Sequence, residues 1–558
     1  MNQRVSNRRI RLLLAFFVLV FAGTLARAVW LQGVQAGTLG SMAMRQHRET
    51  TTISAPRGTI TDRTGEPLAI GEQAVSVSAN PRLIRNPRRV ALVVGQDLGI
   101  DPNDVFETIA DRTKGFVWLA RKADPVAAGK LQRRGLVGLG FEPEEKRSYP
   151  QGGVAAHVLG YAGIDNKGLD GLERSLDRQL AGTPGLETLV KDPFGRTVDV
   201  VAARPERAGR DVQLTIDHQV QANAEAVLAE TVQRWHAKAA SAIVLDPRTG
   251  AVLAMAVAPG FDANRFGSVS ADRRRNRAIT DMYEPGSTFK LVTVSAALSE
   301  GLVSPRTAFT LAPSIQVADR VIHEHDPRPT ERLTVARILA ESSNVGTVTI
   351  AKDLLGPDRL ARWIARFGFG KPTGIDFAGE SAGAVLPRNL WSGSTIGTVP
   401  IGQGIAVTPI QMASVYAAIG NRGVMRTPHL VDKVDGVRVR HGKGRRVVSR
   451  TVAAQVMTML RGVVDAGTGT SAAVPGYTVA GKTGTANKPE NGSYSTSKYV
   501  ASFVGLVPAK SPRLAIMVMV DEPKGAIFGG VVAAPAFQEI ARFGLQYFEV
   551  PPDAPLPG

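Results

Sequence analysis

The chain has 558 residues, 44% of them hydrophobic and 21% charged. This is ordinary globular composition, which excludes disordered, collagen-like and multi-span membrane classes and leaves room for roughly two to four domains. Lys plus Arg number 67 against 49 Asp plus Glu, a formal charge of +18, so an anionic partner is expected: nucleic acid, a membrane surface or an acidic polymer.

Cysteine is absent. That excludes disulfides, thiolate zinc sites and a cysteine nucleophile, and says nothing of the compartment.

The compartment is read from the N-terminus. Arg4, Arg8, Arg9 and Arg11 precede an apolar run over residues 12–26; Arg27 interrupts it, and Ala28, Val29, Trp30 and Leu31 continue it. A positive flank, an apolar stretch of about twenty residues and an interfacial Trp describe one spanning helix with a cytoplasmic N-terminus. Arg27, near the outer end, can snorkel. Ala26-Arg27-Ala28 also fits a signal-cleavage pattern, but the run is long for a signal core and an arginine inside the site is awkward, so an uncleaved anchor is expected. The remainder is then outside the cytoplasm, and nucleic acid leaves the set of partners.

Residues 33–220 read as short β runs, such as 75–77, 90–94 and 211–216, broken by basic turns. Arg82, Arg85, Arg88 and Arg89 are expected to be solvated surface. From about residue 225 the texture changes. A helical stretch at 220–237 is followed by β runs at 241–246 and 251–256 around Pro247-Arg248-Thr249-Gly250, a hairpin. A helix follows Gly286 and stops near Gly301. Others fall at 335–340, 357–367, 409–420 and 452–465. Strands return at 499–507 and 514–520, then a helix at 535–547. Helices in the middle with antiparallel strands at both ends argue for an α+β domain. Residues 551–558 are Pro-rich and expected to be disordered.

Three small motifs occur in order in this second region. Ser287-Thr288-Phe289-Lys290 opens a helix after Glu284-Pro285-Gly286. Ser and Lys at i and i+3 share a helix face. A serine is a weak nucleophile until a base takes its proton, and a lysine is such a base once burial or a neighbouring cation lowers its pKa. The helix start also offers backbone N–H donors to a developing oxyanion. Ser342-Ser343-Asn344 follows; its Ser342 hydroxyl can relay a proton and its Asn344 amide both donates and accepts. Lys482-Thr483-Gly484-Thr485 lies in a β-like context. It offers a cation and hydroxyls for a carboxylate, and a glycine that lets a substrate backbone approach an edge strand. Each motif alone is weak; the ordered triple is specific.

On these motifs the chain resembles a class B penicillin-binding protein, and it does so along nearly its full length. Arg57-Gly58-Thr59-Ile60-Thr61-Asp62-Arg63-Thr64-Gly65, Arg147-Ser148-Tyr149-Pro150, His157-Val158-Leu159-Gly160-Tyr161 and Gly168-Leu169-Asp170-Gly171-Leu172-Glu173 are similar to that family's N-terminal motifs, which soluble β-lactamases lack. Glu284-Pro285-Gly286-Ser287 and Ser342-Ser343-Asn344-Val345-Gly346 resemble the septal, penicillin-binding protein 3-like type.

The resemblance implies a transmembrane anchor at 12–32 behind a cytoplasmic tail at 1–11. It implies an elongated, mostly-β pedestal at 33–222 and a penicillin-binding, serine β-lactamase-like transpeptidase domain at 223–548, an antiparallel sheet flanked by helices, with the Pro-rich tail at 549–558. It implies a D,D-transpeptidase of the bacterial inner membrane. Ser287 attacks the D-Ala-D-Ala carbonyl of a peptidoglycan stem peptide, Lys290 accepts its proton, and Ser342 with a lysine protonates the leaving D-alanine. Asn344 aligns the substrate amide. Lys482, Thr483 and Thr485 hold the terminal carboxylate or stabilise charge nearby, Gly484 lies between them, and the N–H groups of Ser287 and Thr485 form the oxyanion hole. β-Lactams would be covalent inhibitors, and a polytopic septal glycan polymerase and other division membrane proteins would be partners. No metal or cofactor is expected. The alternatives are an elongation-type enzyme, a division scaffold with secondary catalysis, and a β-lactam hydrolase.

Other patterns are set aside. Gly476-Tyr477-Thr478-Val479-Ala480-Gly481-Lys482-Thr483 matches a P-loop letter for letter, but no helical pattern follows it. His323-Glu324-His325-Asp326 reads as a surface loop rather than a metal cluster. Arg273, Arg274, Arg275 and Arg277, and Arg438, Arg440, Lys443, Arg445, Arg446 and Arg450, lack interleaved aromatics and read as solvated loops or contacts with acidic glycan. Phe528-Gly529-Gly530 falls where the family has an aromatic-Gly-Gly turn, and a structural reason serves equally.

Overall fold

The computed structural model describes residues 2–35, 37, 48–191, 197–490 and 492–555. The chain divides into two units, Met1–Pro56 with Gly182–Ala208, and Arg57–Ala181 with Gly209–Gly558.

In the first unit the apolar N-terminal run is a helix, Asn2–Val29, continued by a π-helical turn, Trp30–Val34. Asn7–Val34 is long and apolar enough to cross a membrane. Its Leu12, Phe16, Leu19 and Phe21 side chains are exposed, as befits a helix whose solvent is lipid. The unit also holds an antiparallel three-stranded sheet in the order Arg48–Ile53, Gly185–Lys191, Thr197–Arg204.

The second unit is built on a five-stranded antiparallel sheet. Its strands are β1 (Ala239–Leu245), β2 (Val252–Ala258), β3 (Ala480–Glu490), β4 (Ser493–Val507) and β5 (Leu514–Asp521), in the order β2-β1-β5-β4-β3. The β1–β2 hairpin and the two C-terminal strands stand where the sequence pattern puts them. Side chains alternate between faces with the period of two that a strand imposes. Leu514, Ile516, Val518 and Val520 pack with helices α1 (His218–Arg234) and α5 (Ala534–Tyr547). Ala515, Met517 and Met519 join the larger core on the other face. That core contains α2 (Lys290–Ser299), α3 (Pro409–Gly420) and α4 (Arg450–Ala466). With both faces covered, every residue of β1, β2 and β5 is buried. Residues 290–298 of α2 are buried all round, as are 409–419 of α3; a helix without a polar face belongs inside a core.

The N-terminal region of this unit is wired into the same body. Strands Ile60–Thr61 and Val212–Leu214 pair in parallel, and the latter pairs antiparallel with Val431–Val434. All lie in a seven-stranded sheet with Pro67–Ala79, Val117–Ala123 and Leu139–Ser148. Residues 90–94 are not a strand. They lie in a helix, Pro87–Leu98, and two further helices, Pro102–Ala110 and Pro125–Arg133, accompany it. Each begins with an Asn or Asp side chain accepting a backbone N–H and a proline in the first turn: Asn86-Pro87, Asp101-Pro102 and Asp124-Pro125. Capping and a pre-set φ outweigh the β preference of Val90, Val93 and Val94. Val90, Ala91 and Val94 then face Val77, Ile109 and Leu131 in a small separate core. Arg82, Arg85, Arg88 and Arg89 are exposed, as expected.

The N-terminal motifs converge on one carboxylate. Glu173, wholly buried, accepts from Arg57 Nε at 2.6 Å and from Arg147 Nε at 2.6 Å. Arg57 also donates to Asp177 at 2.8 Å and to the carbonyls of Asn166 and Glu173, and Arg147 donates to that of Gly58. Tyr149 donates to Glu173 at 3.4 Å and accepts from Ala162 N–H at 2.8 Å. Asp62 of the first motif accepts from the N–H and Nδ1 of His218, at the start of α1. The carbonyl of His157 accepts from Asn276, and its ring Nε2 meets the carbonyl of Arg273. These motifs are junctions, not reactive groups.

Two surface expectations change. Arg277 is buried and paired with Asp272 at 2.7 Å and Asp281 at 2.9 Å, so it is not a solvated basic residue. The Pro-rich tail is held through Asp553, which accepts from Thr478 N–H at 2.6 Å and Thr478 O–H at 2.5 Å; residues 556–558 lie outside the described residues. Short charge-assisted bonds order a segment whose composition alone reads as disorder.

Replacing Glu173 by Ala leaves the buried Arg147 guanidinium without its anion and Arg57 with Asp177 alone. Stripping one partner from a buried ion pair costs about 3–5 kcal/mol. The urea unfolding midpoint of the full chain in detergent should fall accordingly, and an unchanged midpoint would refute this role for the carboxylate.

Candidate active site

The three chemistry-bearing motifs meet between α2 and the edge strand β3. Ser287 lies in a 3-10 turn, Gly286–Phe289, that leads directly into α2. The turn is pinned from several sides. Gly286 N–H donates to Gly402 C=O at 3.1 Å, Thr288 O–H donates to Pro285 C=O at 2.7 Å, and the buried Tyr416 of α3 donates to Thr288 C=O at 2.9 Å. Gly286 has φ +53°, and a Cβ there would lie 2.8 Å from Thr485 C=O. Glycine is therefore required both by conformation and by the closeness of β3.

Lys290, three residues after Ser287, is fully buried. Its Nζ donates to Ser342 C=O, to Ser342 Oγ at 3.2 Å and to Asn344 Oδ1 at 2.7 Å. These three acceptors match the three hydrogens of an ammonium. Ser342 has φ +61°, a left-handed conformation uncommon for a residue with a Cβ. It turns both the carbonyl and the hydroxyl of Ser342 onto Lys290. The amide of Asn344 is fixed at its other end, where Nδ2 donates to His323 C=O at 3.0 Å.

Lys482 on β3 is also fully buried; its Nζ donates to the carbonyl and the hydroxyl of Thr483, each at 3.3 Å. Thr483 Oγ1 lies 2.7 Å from Thr468 Oγ1. Thr485 Oγ1 accepts from Gly529 N–H at 3.2 Å. A Cβ on Gly484 would lie 2.4 Å from Ser502 Oγ and 2.9 Å from Pro285 C=O, so here too the strand and the nucleophile turn are in close contact. β3 is the last strand of its sheet and leaves one edge for another extended backbone. The segment matching a P-loop runs into this strand and not into a helix, so it cannot cradle phosphate as a P-loop does.

The electrostatics favour a neutral amine. Burial pushes Lys290 well below the ordinary lysine range, the charge of Lys482 lowers it further, Glu324 opposes this and Arg328 adds to it. Burial alone lowers Lys482 to about 7. An amine so depressed is available as an acceptor of a serine proton. In the arrangement seen, Lys290 Nζ turns to Ser342 and Asn344, and Ser287 Oγ is not among its partners.

The structure adds residues that the sequence reading set aside or did not name. Glu324, of the sequence taken for a surface loop, is buried; its carboxylate accepts from Ser343 Oγ at 2.5 Å and from Asn344 N–H at 2.7 Å. Only its neighbours fit the loop reading, since His325 and Asp326 are exposed. His325 meets Phe528 edge to face at 5.0 Å. Gly529, through its bond to Thr485 and its approach to Gly484 C=O, gives Phe528-Gly529-Gly530 a packing reason. Glu284, two residues before Gly286, accepts from Gly404 N–H at 2.9 Å and Tyr494 O–H at 3.0 Å, tying the β3–β4 hairpin to the nucleophile segment.

One cluster, Asp62, Asp217 and His218, could hold a metal ion by proximity. Asp62 already accepts from Thr64, Glu66 and His218 and Asp217 from Gln219, Val220 and Arg63, which is a structural use.

Comparison with known proteins agrees with this geometry. The family pattern described as penicillin binding protein transpeptidase domain matches residues 240–542, and that described as penicillin-binding protein dimerisation domain matches residues 52–214. The chain is 34% identical over 558 residues to the probable peptidoglycan D,D-transpeptidase PenA of Neisseria meningitidis, covering 99% of this chain and 94% of that one. It is 33% identical over 557 residues to the peptidoglycan D,D-transpeptidase FtsI of Escherichia coli, covering 98% and 93%. Among solved structures, penicillin binding protein 3 of Mycobacterium tuberculosis complexed with aztreonam superposes with a TM-score of 0.72 at 32% identity, covering 91% of this chain and 99% of that one. A matched transpeptidase domain, a matched dimerisation domain and near full-length relatives place the chain in the class B penicillin-binding proteins.

Proposed function

We propose that this chain is a peptidoglycan D,D-transpeptidase that cross-links stem peptides at the division septum through an acyl-enzyme on Ser287, and that β-lactams acylate the same serine. The observation that carries the reading is the buried Lys290 amine, three residues from Ser287, held between Ser342 and Asn344 beside the free-edged strand of Lys482.

Ser287 Oγ forms a bond to the carbonyl carbon between the two D-alanines while its proton passes to neutral Lys290. The C–N bond breaks, and the departing D-alanine amine takes a proton through Ser342. An amine of a neighbouring stem then attacks the ester, its proton returns along the same route to Ser287 Oγ, and a new amide is the cross-link. Asn344 orients the substrate amide. Lys482, Thr483 and Thr485 receive the terminal carboxylate, and Gly484 admits the substrate backbone to the edge of β3. The N–H groups of Ser287 and Thr485 are the oxyanion donors.

The arginines at residues 4, 8, 9 and 11 support an orientation with the N-terminus in the cytoplasm and the transpeptidase domain outside. The FtsI name of one relative supports septal placement. A polytopic septal glycan polymerase and other division membrane proteins are the partners that this placement implies.

A fluorescent penicillin should label the full chain covalently and leave Ser287→Ala unlabelled; equal labelling of both would sink the assignment. In the wild type the acylation rate should reach its plateau well below the ordinary lysine range and fall as acid protonates the base. A rate still climbing through alkaline pH would exclude a depressed lysine as that base. Gly484→Ala, which drives a methyl toward Ser502 and Pro285, should slow acylation about tenfold to a hundredfold, since small misplacements at a reacting centre carry such penalties.

A further inference from the structure

We infer that Glu324 is a positioning residue of the acylation machinery: its carboxylate holds Ser343 and Asn344, and through them sets the place and the charge of Lys290. The inference rests on the proposed role of Ser287 and Lys290 and adds a member to that machinery.

The contacts form one chain. Glu324 is 8% exposed. One carboxylate oxygen accepts from Ser343 O–H at 2.5 Å and the other from Asn344 N–H at 2.7 Å. The adjacent carbonyl of His323 accepts from Asn344 Nδ2 at 3.0 Å, which leaves Asn344 Oδ1 to accept from Lys290 at 2.7 Å. Two consecutive residues, 323 and 324, thus fix the Nδ2 end of the Asn344 side chain, its backbone N–H and the Ser343 hydroxyl beside it. The left-handed Ser342 stands next to Ser343 in the same segment, and a residue so strained keeps its conformation only when its surroundings over-determine it. Both oxygens of Glu324 serve as acceptors, the pattern an ionised carboxylate makes.

Charge gives the second half. The groups acting on Lys290 are Lys482, Arg328 and Glu324. Lys482 and Arg328 are cations that favour the neutral amine; Glu324 is the anion that opposes them. Arg328 is itself engaged with Glu331 at 3.0 Å and Glu341 at 3.4 Å. Glu324 therefore keeps Lys290 from being driven so low that it no longer draws a proton from serine, a balance that general-base catalysis requires. Removing the negative charge lowers the proton affinity of Lys290, so the acid side of the acylation profile moves to lower pH.

The test uses the full chain in detergent with a fluorescent penicillin, acylation being timed across pH in the wild type and in Glu324→Gln, Glu324→Asp and Ser343→Ala. Glu324→Gln keeps the shape and loses the charge. Its acid limb should move to lower pH and its plateau should fall about tenfold to a hundredfold, the rate equivalent of one or two misplaced hydrogen bonds. Glu324→Asp keeps the charge, so its limb should stay near the wild-type position while its plateau falls. Ser343→Ala should lower the plateau without moving the limb. A Glu324→Gln profile that only drops in height, or one that matches wild type throughout, would overturn the inference. If Glu324→Gln melts lower than wild type, the limb of Glu324→Asp against that of Ser343→Ala decides the point: a shift in Glu324→Asp as well would assign Glu324 to packing alone. Labelling of Ser287→Ala would instead defeat the underlying reading and leave a recognisably different result.

Discussion

Two lysine amines are taken out of water within one site, and much of the transpeptidase architecture answers to that constraint. A buried ammonium is expensive unless each hydrogen finds an acceptor, and a buried amine shifts toward its neutral form. Lys290 meets the first demand through Ser342 C=O, Ser342 Oγ and Asn344 Oδ1. That arrangement requires the left-handed backbone of Ser342. The strain, about 1–3 kcal/mol for such a residue, is held by Ser343 and Asn344 on Glu324. Lys482 is fully buried on the strand that carries it, two residues before the place where Gly484 comes close to Pro285. The second cation keeps the first from holding its proton tightly. Burial, strain and like charge are each unfavourable to the fold, and burial and like charge push the Lys290 amine toward its neutral form.

Such a site needs a rigid surround. Helices on both faces of the sheet leave every residue of β1, β2 and β5 inside the protein. β3, at one border of the sheet, keeps an unpaired edge. The N-terminal motifs contribute by fastening rather than by chemistry. Arg57, Arg147 and Tyr149 gather at Glu173, and Asp62 takes two bonds from His218 at the head of α1. α1 in turn packs beneath the sheet with α5. A run of motifs dispersed over more than a hundred residues therefore reads as a few joints.

What the sequence made legible follows from the range of each interaction. Ser287 and Lys290 share a helix face because they are three residues apart, and the β1–β2 hairpin declares itself through alternation around Pro247 and Gly250. The ordered triple of motifs told of a site because its chemistry is fixed by residue type. Residues 90–94 mislead because five branched or small apolar residues fit strand and helix alike. The deciding signals lay just upstream, in Asn86-Pro87, and recur at Asp101-Pro102 and Asp124-Pro125. Glu324 stayed hidden for a different reason. It stands between two exposed-looking histidines in a polar stretch, and its burial arises only when that stretch folds against Ser343. Asp553 is similar: composition marks its neighbours as disordered, and one carboxylate on Thr478 orders them. Local pattern reveals elements and reactive residues; it does not reveal which distant carboxylate will satisfy them.

The absence of cysteine now has a positive meaning. Without thiols the chain has neither disulfides to brace it nor a nucleophile that ionises readily. A serine must be deprotonated by a neighbour. A histidine can do this while half exposed, because its ordinary pKa is near neutrality; a lysine can do so only when dry. A lysine in that role has to be sealed from water and oriented: three segments meet at the Lys290 amine, one that carries it, one that bonds to it and one whose Lys482 acts on it by charge. Those segments are the start of α2, the Ser342-Ser343-Asn344 loop and β3. The same three segments meet beside the free edge of β3. Under the function proposed, sealing the amine and receiving the peptide are then one task, and a shift in any of the three would disturb both acidity and binding at once.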